Sequence, residues 1–216
     1  MLGGELVAED KETRKKLLDS AKREFLDKGY TKASLRTICK NAGVTTGALY
    51  FFFQDKEDLL KQLVEKPLQD LAAVIQSHLS SELSTDMLVA STDEDSEDIR
   101  ASSEIVHCMY QNYDIFEILL TKSQGSAYED IVSRFADWGE QHYNALADIM
   151  AEKLGVPKPD HYMIHWMAHM QVDAFVHLFT HEPVEEKAVR HMEEIVVYLV
   201  SGWNGLFSRD RKALTT

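Results

Sequence analysis

The chain has 216 residues, 44% of them hydrophobic and 27% charged, enough for one or two domains with a buried core. Four prolines and ten glycines exclude a fibrous or low-complexity chain, and two cysteines exclude a disulfide framework. The net charge of −13 argues against a nucleic-acid partner until its distribution is read: eleven Lys/Arg face five Asp/Glu between Lys11 and Lys56, but ten face twenty-five from Pro67 to Thr216. A basic head on an acidic body points to one face made for a polyanion and a remainder kept soluble by like charge. No apolar run reaches the ~18 residues of a membrane span. The N-terminus, Met1 to Asp10, lacks the basic and apolar regions of a secretion signal, and the cysteine usage fits a reducing cytoplasm.

Almost every segment reads as helix, because strand-length alternation and hairpin dipeptides are absent. The spacing predicts a first helix over Lys11–Lys28, with Leu17, Leu18, Ala21, Phe25 and Leu26 as its apolar stripe and Gly29 as its stop. Ser34 is the expected N-cap of a short helix carrying Leu35, Ile38 and Ala42. Gly43 breaks that helix, and Thr45 caps a third through Tyr50 to Phe53. Asp55, with Asp58 three residues on, opens a fourth helix to about Leu79. Ser80–Glu97, with the acidic run Ser91–Asp98, has no apolar period and reads as a loop or helix start. Helices follow near Ile99–Gln111 and Tyr113–Ser123. Ser126-Ala127-Tyr128-Glu129 is a capping box that predicts a long helix to Leu154. Gly155-Val156-Pro157 is a stop, Asp160–His181 is the next helix, and Glu185–Phe207 is the last.

Three short helices in fifty residues, the last two joined by a glycine corner, match a helix-turn-helix. Ala42 must be small where the two helices meet, Gly43 can adopt positive φ, and Val44 fixes the crossing. Thr45 satisfies free amides of the third helix. Leu49 is its inward anchor, which leaves Thr46, Gly47, Ala48, Tyr50 and Phe51 to approach a groove. The stretch from Leu35-Arg36-Thr37-Ile38-Cys39-Lys40 through Asn41-Ala42-Gly43-Val44-Thr45-Thr46-Gly47-Ala48-Leu49-Tyr50-Phe51 to Lys56 and Leu59 resembles the DNA-binding signature of the TetR/AcrR family. The sequence-specific likeness covers residues 11–60, and the length and helical remainder agree with it.

The resemblance implies an all-α fold of about nine helices. It implies a flexible arm over 1–10, a helix-turn-helix DNA-binding domain over 11–55 and an effector-binding and dimerisation domain over 56–216. It implies that Arg36 and Lys56 hold phosphates, that Thr46, Gly47 and Ala48 face base edges, and that the Tyr50 hydroxyl meets the backbone of double-stranded DNA. Thr45 and Phe51 complete this candidate surface. Cys39, Ala48, Phe51 and Phe52 depart from the usual residues. Cys39 reads as a buried space-filling thiol, and one of the phenylalanines is expected to be exposed. The function implied is a ligand-responsive regulator: a repressor that binds a near-palindromic operator as a homodimer and is released by a small-molecule effector.

In the body, Met192, Ile195, Val196, Leu199, Trp203 and Leu206 recur at helical spacing and are expected to form the homodimer interface through the last two helices, with Gly202 and Gly205 permitting close approach. Tyr110, Phe116, Trp138, Tyr143, Trp166, Met167 and Met170 are the candidate walls of a pocket for an apolar or aromatic effector. His161, His165 and His169, spaced i, i+4, i+8, offer an alternative reading as a metal or haem site in a sensor or enzyme. No His-Glu-x-x-His pattern, nucleophile elbow, phosphate loop or dinucleotide fingerprint occurs. The sequence therefore assigns no catalytic residue, metal or cofactor.

Overall fold

A computed structural model describes residues 2–82 and 94–208. Nine helices and no strand occur among these residues: α1 (Leu2–Lys32), α2 (Leu35–Ala42), α3 (Thr46–Phe52), α4 (Lys56–Glu82), α5 (Glu94–Gln111), α6 (Tyr113–Thr121), α7 (Ile131–Leu154), α8 (His161–His181) and α9 (Glu185–Ser208). Of the stretch that the sequence leaves without periodicity, residues 83–93 lie outside the described residues, and Glu94–Asp98 form the first turns of α5. No helix among the described residues is long and apolar enough to cross a membrane.

The chain forms two compact units. The first comprises the chain up to Asp70 together with Gln111–Ile131; the second comprises Leu71–Tyr110 and the chain from Val132 onward. The boundary expected at residue 55 falls before this division at Asp70. The first part of α4 belongs to the amino-terminal unit, and so do α6 and the turns after it. Helix α1 begins at Leu2 and takes in residues 2–10 of the expected arm.

In the first unit the core is built from Leu17, Ala21 and Phe25 of α1, Ile38 of α2, Leu49 of α3 and Leu59, Leu60 and Val64 of α4, all fully buried. Gly29 interrupts α1 at φ 71°, as the sequence predicts. The chain then turns under a set of long-range bonds. The Tyr30 amide donates to the Lys122 carbonyl at 2.8 Å, Lys122 Nζ donates to the Leu26 carbonyl, and Lys22 pairs with Asp114 at 2.8 Å. The Glu57 carboxylate accepts from the Tyr30 hydroxyl at 2.6 Å and from the Ala127 amide at 3.1 Å. Residues 122–130 are consequently turns. Ser126 caps the Tyr128 amide and Glu129 caps the Gly125 amide, but the helix they were expected to open starts only at Ile131.

In the second unit two apolar clusters run along α9. Val106, Leu178, Ala188, Met192 and Val196 form one; Leu146, Ala147, Ile164, Trp203 and Phe207 form the other. Met192, Val196 and Trp203 are therefore buried in the protomer's own core, and Ile195 and Leu206 pack partly buried against it, with Leu199 half-buried. Of the residues expected at a dimer interface, Met192, Val196 and Trp203 are thus taken up by this packing, and Ile195, Leu199 and Leu206 keep part of their surface. The large apolar side chains that remain exposed on α8 and α9 are Tyr162, Trp166, Val197 and Tyr198.

Candidate nucleic-acid interface

Each turn of the α2–α3 corner is fixed by local chemistry. Ser34 Oγ accepts from the Thr37 amide, and the buried Glu24 carboxylate accepts from the Ser34 amide, so α2 starts in a defined direction. Ser20 Oγ donates to the Ile38 carbonyl at 2.9 Å and ties α1 to α2. At the end of α2, Gly43 adopts φ 70° while its amide donates to Lys40 O and the Val44 amide to Cys39 O. That is a Schellman closure, which a residue with Cβ enters at a cost. Thr45 Oγ1 then accepts from the Ala48 amide at 3.1 Å and starts α3.

Leu49 is 0% exposed and anchors α3 to the core. Around it, Thr46 and Gly47 are exposed, Ala48 is half-buried, Tyr50 is 57% exposed and Phe51 is 74% exposed. A side chain at Gly47 would meet nothing nearer than Thr45 Oγ1 at 3.8 Å. The protomer's own packing does not require glycine there, although glycine weakens a helix by roughly 0.5–1 kcal/mol against alanine. The Phe51 ring stands edge-on to Phe52 at 4.9 Å, so an apolar face projects beside the short side chains. Arg36 on α2 is exposed as well. Arg36, Thr45, Thr46, Gly47, Ala48, Tyr50 and Phe51 thus sit on adjacent α2 and α3 segments of one unit, all but Ala48 exposed.

Lys56, expected at a phosphate, is held by backbone carbonyls. Its ammonium donates to the Tyr30 carbonyl at 2.6 Å and to the Thr31 and Ala33 carbonyls at 3.3 Å, and lies 4.4 Å from the Tyr30 ring centroid. An ammonium has three donors, and all three are engaged on backbone. Lys56 thus clamps the end of α1 to the start of α4. Burial, then the Glu57 carboxylate, pushes the Tyr30 phenol well above its ordinary range. Burial also raises the Cys39 thiol, which is 3% exposed and fills core space as a poor nucleophile.

The candidate pocket residues separate. Tyr143 and Met167 line a cavity of about 140 Å³ in the second unit. Phe116 is buried in the first unit, Trp166 is exposed, and Trp138 and Met170 are half-buried away from the cavity wall. Tyr110 donates to the Glu182 carbonyl and packs edge-on against Phe179. The wall also holds Phe175, Val196, Leu199 and Trp203, with polar His78, Asp98, Ser102, Gln171 and Asn204, which sequence reasoning missed. Asp98 lay hidden in the acidic run, and nothing in a single sequence brings α4, α5, α8 and α9 to one wall.

The histidine row lies at the surface. His161 and His165 turn their Nδ1 atoms to the two oxygens of Glu140, at 3.3 and 2.7 Å, and the half-buried His169 ring lies tilted against His165 with centroids 4.5 Å apart. Among the described residues no three His, Cys, Asp or Glu side chains are grouped so that they could hold a metal ion.

Residues 17–63 match the family described as bacterial regulatory proteins, tetR family. Over 57 residues the chain is 47% identical to the HTH-type transcriptional regulator AcrR of Shigella flexneri, covering 26% of each protein. Over 80 residues it is 35% identical to a probable acrEF/envCD operon repressor of Escherichia coli, covering 37% of this chain and 36% of that one. The likeness thus spans about a quarter to a third of these relatives' length. In architecture the chain resembles NalD, the secondary repressor of the MexAB-OprM multidrug efflux pump in Pseudomonas aeruginosa. The TM-score is 0.58 at 21% identity, covering 88% of this chain and 96% of that one. The amino-terminal helix-turn-helix, residues 17–63, is thus similar to that of the tetR family of bacterial regulatory proteins.

Proposed function

We propose that the protein is a cytoplasmic DNA-binding repressor that acts as a homodimer on a near-palindromic operator and releases it when a small molecule occupies the second unit. The observation that carries this reading is the surface of α3. Leu49 is wholly buried, so Thr46, Gly47, Tyr50 and Phe51 are presented outward on a short helix within the Lys11–Lys56 stretch, which carries eleven Lys/Arg against five Asp/Glu. Such a helix fits a major groove, with short side chains admitting its start to the base edges and Phe51 supplying an apolar contact for thymine methyl groups. Arg36 supplies a phosphate contact at the flank. The repressor named among the relatives supports the direction of control.

Dimerisation is assigned to the outward faces of α8 and α9, where Tyr162, Trp166, Val197 and Tyr198 leave apolar surface uncovered in the protomer. Helix α4 belongs to both units and carries Pro67, whose missing N–H removes one helical bond just before the division at Asp70. An effector in the second unit can alter operator affinity only as far as it favours one dimer arrangement over another, and α4 is the continuous element that conveys that preference. The test is selection of bound duplexes from fragmented DNA of the source organism, followed by titration at several salt concentrations. Enrichment of an inverted repeat with steeply salt-dependent affinity supports the reading; no enrichment over bulk DNA overturns it.

A further inference from the structure

We propose that the groove between the end of α8 and the first turns of α9 is a site for a transition-metal cation of the zinc, nickel or copper class, chelated by His177 and His181. The proposal does not depend on the chain binding DNA. The two histidines stand at i and i+4, so both side chains leave the same face of α8. Their rings are stacked, with centroids 4.1 Å apart and planes 24° from parallel. Two nitrogens on one tetrahedral ion, each at ~2.0–2.1 Å from it, lie ~3.4 Å apart. The pair is therefore spaced for a single ion after a small turn of each ring, and both residues are exposed, so that turn displaces no core packing.

The hydrogen bonds select the ligating atom. His181 Nδ1 lies 2.8 Å from the His177 carbonyl oxygen and 3.0 Å from Thr180 Oγ1. A carbonyl oxygen only accepts, which assigns the proton to Nδ1 and leaves the lone pair of the neutral ring on Nε2. Metal-ligating imidazoles are held in the same way, with the second nitrogen tied to a backbone carbonyl or a carboxylate. The charge of the groove agrees with a cation. Its wall also holds Glu182, which follows α8, and His191 and Glu194, three residues apart on α9. Glu182 accepts from the Val184 amide at 3.1 Å through one oxygen. Among the described residues this wall contains no lysine or arginine. No third side chain closes on the two rings as they stand, so the protein supplies two imidazoles and solvent completes the coordination. Imidazole suits zinc, nickel and copper, whereas magnesium takes oxygen ligands.

Calorimetric titration of the full chain, stripped of metal by chelation and dialysis, with zinc chloride tests the assignment, and magnesium chloride is the hard-cation control. Zinc is expected to bind and magnesium to give no saturable heat. His177→Ala and His181→Ala should each weaken zinc by at least about ten-fold, since loss of a group that merely orients a ligand already costs about 10–100-fold. His165→Ala, in the other histidine row, should leave this affinity within about two-fold. Histidine-selective NMR of the unsubstituted chain reads the same site without a variant: zinc should move the His177 and His181 ring resonances before those of His161 and His165. Zinc affinity that survives both substitutions in α8 overturns the assignment. So do ring shifts confined to the other histidines, magnesium binding equal to zinc, or no zinc binding.

Discussion

Replacing Lys56 by Ala separates a clamp from a phosphate contact. The ammonium makes one short bond, to the Tyr30 carbonyl at 2.6 Å, and two longer ones at 3.3 Å. Hydrogen bonds from a charged donor contribute about 1.5–3 kcal/mol each when well formed; the half-buried setting and the two long bonds hold the sum near the lower part of that range. A loss of about 2 kcal/mol lowers the midpoint of thermal unfolding by roughly 4–8 °C for a protein of this size. Arg36→Ala is the control, since Arg36 is exposed and its loss should leave the midpoint within about 1 °C. On DNA the pattern reverses. Arg36→Ala removes one phosphate contact per protomer and should flatten the slope of log affinity against log salt by about 1.8 per dimer. Lys56→Ala should leave the slope nearly unchanged once assayed below its melting range. Differential scanning calorimetry and fluorescence anisotropy give both readings. An unaltered midpoint for Lys56→Ala together with a flattened salt slope would refute the clamp and restore Lys56 to the phosphate surface.

Three further outcomes follow from the same geometry. Gly47→Ala should stabilise α3 by roughly 0.5–1 kcal/mol yet weaken duplex binding, because the methyl meets no atom of the protomer within hard contact and intrudes only on a groove; equal or tighter binding would show that α3 is not the inserted helix. The Asp58 carboxyl accepts from the Gln54 amide at 2.9 Å and from the Gln62 side chain at 3.1 Å, which holds it below the ordinary 3.8. Its contribution is present above the unfolded value and is lost as pH falls through the lower folded value, so Asp58→Asn should melt with a flatter pH dependence below pH 4, and an unchanged profile would remove Asp58 as a source of acid sensitivity. Tyr198→Glu, on the exposed face of α9, should shift sedimentation from dimer toward monomer, whereas Val196 points into the protomer core and its truncation to Ala should lower stability first.

The parts of the site that the sequence discloses are those made by neighbours in the chain. Ser34, Gly43, Val44 and Thr45 each act within five residues, so their roles are visible in order and type. Leu49 is legible as the anchor only through its place in the helix-turn-helix register, since the aromatic residues Tyr50 to Phe53 follow it directly. The clamp at Lys56 is hidden because its acceptors lie more than twenty residues back, and a lysine beside a recognition helix looks the same whether it faces a phosphate or a carbonyl. The 111–131 segment joins the amino-terminal unit through bonds such as Lys122 to Leu26, 96 residues apart, which no local pattern foretells. In α9 the apolar residues occupy more than one face, so periodicity alone could not tell Met192 and Trp203, which point inward, from Val197 and Tyr198, which point out. The cavity polar groups were invisible for a related reason: Asp98 sits in an acidic run whose other members give it no distinction.

The composition of the complex with duplex is the most direct test. Sedimentation velocity of the full chain with a selected inverted-repeat duplex, read at the absorbance of each component, gives chains per duplex. Two chains per duplex are predicted, with complex formation lost on Gly47→Ala and Arg36→Ala combined. A single chain per duplex, or a complex indifferent to both substitutions, would contradict the assignment of α3 and its neighbours as the operator-reading surface.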